Sequence, residues 1–155
     1  MDSIFPYVNS LHTLGAVIWV GGMVFAWGFL RPALGFLNPP ERLGVWRAVF
    51  PKFFMWVWIA IIVMPVTGYS MVYNDFGGFT AAGYHVEVMH IVGWVMIAIF
   101  LFVYFIPYKK FKVAVANKTW PEAAKHLAVI RRAVAANMVI GLVNVAIGVS
   151  GRFWG

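Results

Sequence analysis

The chain has 155 residues, 63% of them hydrophobic, 18% aromatic and only 11% charged, where an ordinary soluble domain is about a quarter charged. A core of this size cannot hide so much apolar surface from water, so lipid must cover the remainder, and a soluble globular domain is excluded. The absence of cysteine excludes disulfides, iron–sulfur ligation and thiolate chemistry.

Met1-Asp2-Ser3 lacks the basic leader of a cleavable signal, and no small-residue cleavage site closes the long apolar run behind it. Four segments are long enough to cross a hydrocarbon core, which takes about 20 helical residues. The first is predicted from Ile4 to Leu30, stopped by Arg31-Pro32. The second runs from Phe53 to Tyr73 with a kink at Pro65, the third from Gly83 to Ile106 before Pro107, and the fourth from Leu127 to Ser150. Residues 1–155 thus read as a single all-α integral membrane domain, a four-transmembrane-helix antiparallel bundle.

The +7 net charge is a topology signal. Arg31, Arg42, Arg47 and Lys52 fall in or beside the connection between the first two segments. Lys109, Lys110, Lys112, Lys118, Lys125, Arg131 and Arg132 fall between the last two, so eleven of the twelve basic residues share one side. The positive-inside rule then puts those connections in the cytoplasm and both termini outside. The charge meets anionic lipid heads rather than nucleic acid. Gly15, Gly21, Gly22 and Gly28 on the first segment and Gly141 and Gly148 on the fourth allow close helix approach. A homodimer stays open. Tyr7, Tyr84, Tyr108 and Trp154 are placed for interfacial aromatic belts.

Four histidines are the chemically informative residues. His12 and His90 lie eight and seven residues inside segments that run the same way, so both sit roughly 10–12 Å below the outer end. Two imidazoles at one depth in a bundle fit axial ligation of a shared cofactor, and ionisable groups inside a bilayer are functional candidates by default. Each has a glycine at i+3, Gly15 and Gly93, leaving room for a flat ring that Trp19 and Trp94 would wall. The two halves, each led by a histidine-bearing segment, suggest a weak parallel repeat. His85 is read as interfacial, with a role as substitute ligand for His90. His126 beside Lys125 is read as solvated. Glu87, at i−3 from His90, and Asn144, near the histidines' depth, are candidate contacts to a bound group; Asn137 shares a face with Asn144. Eight methionines invite Cu(I), which soft thioethers select, although their spread over all four segments suits flexible packing.

Leu11-His12, Ile18-Trp19-Val20-Gly21-Gly22 and Leu30-Arg31-Pro32-Ala33-Leu34 resemble the opening of the copper-resistance protein D (CopD) family. Phe53-Phe54-Met55-Trp56-Val57-Trp58 leading to Thr67-Gly68 resembles its next segment. The architecture also resembles HemJ-type protoporphyrinogen oxidases, four-helix membrane proteins that bind haem b through a first-helix histidine. That family uses a lysine on its third helix, where this chain has Tyr84-His85-Val86-Glu87-Val88 and no lysine. What carries over is haem binding near His12.

The expectation is therefore a multi-pass protein of the bacterial inner membrane with one haem b held by His12 and His90. Two histidines leave no open iron position, which favours one-electron transfer with a quinone or a periplasmic redox protein. The alternatives are copper transport or resistance through His12, His90 and Met89, a membrane oxidoreductase of the biosynthetic kind, or a non-catalytic assembly subunit.

Overall fold

The computed structural model describes residues 4–154; Met1-Asp2-Ser3 and Gly155 lie outside it. The chain is helical almost throughout, and four of its helical stretches are long and apolar enough to cross a membrane: Phe5–Ala33, Pro39–Asp75, Tyr84–Ala116 and Trp120–Phe153. Helix α1 (Phe5–Phe25) runs through a π-helical turn, Ala26–Leu30, into one more turn, Arg31–Ala33. Arg31-Pro32 therefore does not stop it. A wider turn absorbs the proline because Pro32 has no N–H to offer the preceding turn.

The second helix, α2 (Pro39–Ser70), begins well before Phe53. Its start is written locally. The Asn38 side chain accepts from the Glu41 N–H at 3.1 Å, the Glu41 carboxylate accepts from the Asn38 N–H at 3.4 Å, and prolines fill the first two helical positions. A hydropathy reading finds the stretch that fits the bilayer, not the helix that overshoots it.

The same correction holds elsewhere. Helix α3 (Tyr84–Phe105) breaks at Ile106, whose φ and ψ are −112° and −83°, but α4 (Pro107–Ala116) continues past the proline. Helix α5 (Trp120–Ser150) starts seven residues before Leu127. The basic connections are thus mostly helical extensions, with all eleven cations gathered at one end of the bundle. Several cover aromatic rings there: Arg31 over Trp27 at 5.6 Å, Lys109 over Phe105 at 5.2 Å and Lys112 over Tyr108 at 4.7 Å. At the other end Gly77, Gly78 and Gly83 take φ of 77°, 104° and 92°, so the turn between α2 and α3 needs glycine.

The bundle is two hairpins. Helix α1 packs along α2, and α5 packs along α3 and α4. Glycines make these approaches close. Met64 lies over Gly15, Phe53 over Gly22, Met89 over Gly148, and Met96 with Val20 over Gly141. Gly21 and Gly28 face open space instead. Met64, Met89 and Met96 thus each reach a glycine of a facing helix, which a flexible unbranched side chain does readily.

Helices α2 and α3 meet differently, through stacked and edge-on aromatic rings rather than close backbones. Phe54 lies 5.6 Å from Phe100, 4.9 Å from Tyr108 and 5.1 Å from Phe50 between ring centres. Tyr108, expected at an interface, is buried in this cluster because the break at Ile106 turns it inward; Tyr7, Tyr84 and Trp154 are exposed, as a belt requires. Leu11, Leu14, Ile62, Val66, Ile91 and Leu142 are also exposed. On a spanning bundle that surface faces lipid.

Candidate metal-ligand site at the α1–α2 contact

His12 lies on α1 where Gly15, one turn further, lets α2 come close. Its Nδ1 is 3.0 Å from the Met64 carbonyl oxygen and 2.9 Å from Thr67 Oγ1. A carbonyl only accepts, so Nδ1 carries the proton and donates it in a forked bond. The Thr67 hydroxyl spends its own hydrogen on backbone oxygens, Val63 at 2.7 Å and Met64 at 3.1 Å, which turns its lone pairs toward His12. In the neutral ring the lone pair is thereby fixed on Nε2, to which no described residue hydrogen-bonds.

Outer-shell groups fix a metal-binding imidazole in this way, by holding the far nitrogen's proton and setting the tautomer. Thr67 is buried, and the His12 ring rests on Gly68, where a Cβ would meet Cε1 at 3.4 Å. Met64 extends from the same shelf toward Gly15, bringing its thioether to the face of α1 that carries His12.

His90 stands elsewhere. Its Nε2 is 3.4 Å from the Tyr69 hydroxyl, which accepts from Trp94 Nε1 at 3.4 Å. Its ring packs among Phe79, Tyr69 and Trp94, at 5.0, 5.3 and 6.4 Å between centres. Thr67 and Tyr69 are two residues apart on α2, so their side chains point about 160° apart around it. His12 and His90 thus take different residues of α2 as partners, and no hydrogen bond or ring contact joins the two imidazoles among the described residues.

The remaining expected residues are also distributed. Gly15 is filled by Met64 rather than left open for a ring, and Gly93 faces open space. Trp19 is buried in the apolar core, while Trp94 is half-exposed at the His90 cluster. Glu87 is exposed. Asn144 Nδ2 donates to the Met89 carbonyl at 3.4 Å, and Asn137 Nδ2 to that of Met96 at 3.3 Å, so both amides tie α5 to α3. His85 packs against Gly151 and Trp154 at the N-terminal end of α3. His126 lies 3.7 Å from the exposed Glu122 carboxylate. No group of three or more His, Asp or Glu residues suited to a metal occurs among the described residues. Sequence reading missed Thr67 as a histidine partner, although an i−4 back-bonding threonine on an apolar helix was a usable signal.

A family model, Copper resistance protein D, matches residues 47–150, about two thirds of the chain. The chain belongs to the copper resistance protein D family. The match takes in the Met64–Thr67 shelf, His85, His90 and His126, and begins after α1, so His12 lies outside it. No curated protein and no solved structure matches this CopD-family chain. Family and spans together make it a multi-pass membrane protein, for which a bacterial inner membrane fits.

Proposed function

We propose that this CopD-family chain handles copper ions at the membrane, with His12 Nε2 as nitrogen donor and the Met64 thioether as a soft second ligand. One observation carries the reading: the forked bond from His12 Nδ1 to Met64 and Thr67, which leaves Nε2 as the free donor. Imidazole and thioether suit copper, the thioether favouring Cu(I). Copper here is cargo, and the donors this chain supplies are few, as release requires. Family membership supports the class of cargo.

The second reading is haem b at the same nitrogen, with electron exchange toward a quinone or a periplasmic redox protein. His12 Nε2 serves iron as well as copper. Axial ligation by both His12 and His90 is the weaker form of that reading, since their partners lie on different faces of α2. An absorption spectrum of the purified protein, oxidised and dithionite-reduced, separates the two. The copper reading expects no Soret band and uptake of Cu(I) under anaerobic titration. A sharp reduced haem spectrum, with no copper uptake, overturns it.

The site's side of the membrane follows from orientation. His12 lies roughly 10 Å from the start of α1, so outward termini put it near the outer face. Reporter fusions after Asp75 and Gly155 should read periplasmic, and fusions near Leu37 or Asn117 cytoplasmic. The basis is the clustering of eleven cations at one end. A cytoplasmic reading at Gly155 reverses the orientation and moves the site to the inner face.

A further inference from the structure

At the basic end the third span bends at Ile106-Pro107, and α4 comes against α2, where Phe50 lies 5.8 Å from Tyr108 and 5.6 Å from Phe111 between ring centres. Beside this contact lies an open groove of about 480 Å³ lined by Arg47, Pro51, Phe54, Met55, Trp58, Tyr104, Tyr108 and Lys112, within the usual range for small-molecule sites. Its two walls are helical stripes. Tyr104, Tyr108 and Lys112 recur every four residues, and Arg47, Pro51, Met55 and Trp58 recur every three or four.

Charge is placed at one end only. Arg47 and Lys112 are both half-buried, and Lys112 Nζ lies 4.7 Å from the Tyr108 ring centre. The one ion pair among the described residues is His126 with Glu122, so neither cation has a carboxylate partner. From Arg47 to Trp58 the groove descends eleven residues, roughly 16 Å along α2, about the depth of one leaflet of a 30 Å hydrocarbon core.

We propose that this groove holds one anionic phospholipid, its phosphate between Arg47 and Lys112 and an acyl chain along Met55, Trp58 and Tyr104. Two unpaired cations above an apolar slot one leaflet deep complement that shape and charge. A free phosphate would satisfy the cations and leave the slot empty. The groove's lining includes the exposed Met55, on the surface that a spanning bundle turns to hydrocarbon, where a lipid can enter and a soluble anion cannot.

The test is native mass spectrometry of the whole chain in detergent, titrated with phosphatidylglycerol or phosphatidylcholine. The wild type should retain one phosphatidylglycerol in preference to phosphatidylcholine. Arg47→Gln and Lys112→Gln should each weaken retention about five-fold, and together about 30-fold, while the Lys109→Gln/Lys110→Gln pair should not. Equal retention of both lipids, or equal loss in the Lys109/Lys110 control, overturns the site. A second measurement needs no charge variant. Phosphatidylglycerol brominated on its acyl chain should quench tryptophan fluorescence, and part of that quenching should vanish in Trp58→Phe. Quenching unchanged by Trp58→Phe overturns the chain placement.

Discussion

His12→Ala should reduce the copper content of the purified protein to background, a loss of roughly 100-fold or more in affinity. Thr67→Val should lower affinity about 10–100-fold with the ligand itself untouched. Valine keeps the shape of threonine and deletes the oxygen 2.9 Å from His12 Nδ1. The ring is then held by the Met64 carbonyl alone, free to turn, and the proton that fixes the tautomer is less firmly placed. Thr67→Ser, which restores the hydroxyl, should recover most of the affinity. Competition of each variant against a colorimetric Cu(I) chelator reads all three. Wild-type binding by Thr67→Val would reduce Thr67 to a packing residue and leave His12 as ligand. Wild-type binding by His12→Ala would remove the site.

Phe54→Ala should destabilise the fold by about 3 kcal/mol, the largest stability effect expected of any single ring. Phe54 is 2% exposed and touches rings from both sides of the bundle: Phe50, Phe100, Tyr104 and Tyr108, at 4.9–6.0 Å between centres. Lipid tails are as apolar as the core, so burial from water contributes little to helix association here. What is lost is packing and ring-on-ring contact, at about 0.5–1.5 kcal/mol for each pair. Phe102→Ala, on a ring 44% exposed to the surroundings, should change stability by no more than about 0.5 kcal/mol. Reversible unfolding in mixed micelles measures both. Equal effects at the two positions would mean that the rings between α2 and α3 do not hold the hairpins together.

Several features were legible in the chain itself. Low charge and long apolar runs fixed the membrane class and the number of spans, because a bilayer accepts only segments of sufficient length whose backbone bonds are satisfied internally. Prolines were mixed signals: Pro65 lies inside its span as expected, while Pro32 is accommodated instead of stopping its helix and Pro107 bends its span without ending it. The Asn38–Glu41 cap was available as a signal that α2 begins before its apolar stretch, and hydropathy passes over it. The CopD resemblance rested on short motifs on the first two segments, and the family match bears it out from Arg47 onward.

By itself, then, the sequence determined what depends on composition and on distance along a helix: four spans and one basic end. Helical rise converts residue number into depth without knowledge of any neighbour. Rotation about the bundle has no such rule. Which way a side chain points depends on how each helix is turned against the next, set here by Met64 seated on Gly15, Phe53 on Gly22 and the rings wedged between α2 and α3. Only the tertiary structure decided that His12 meets Met64 and Thr67 while His90 meets Tyr69, about 160° away on the same helix. Depth along a helix allows many pairings across a bundle, and van der Waals contacts between residues far apart in the chain choose the rotation that selects among them.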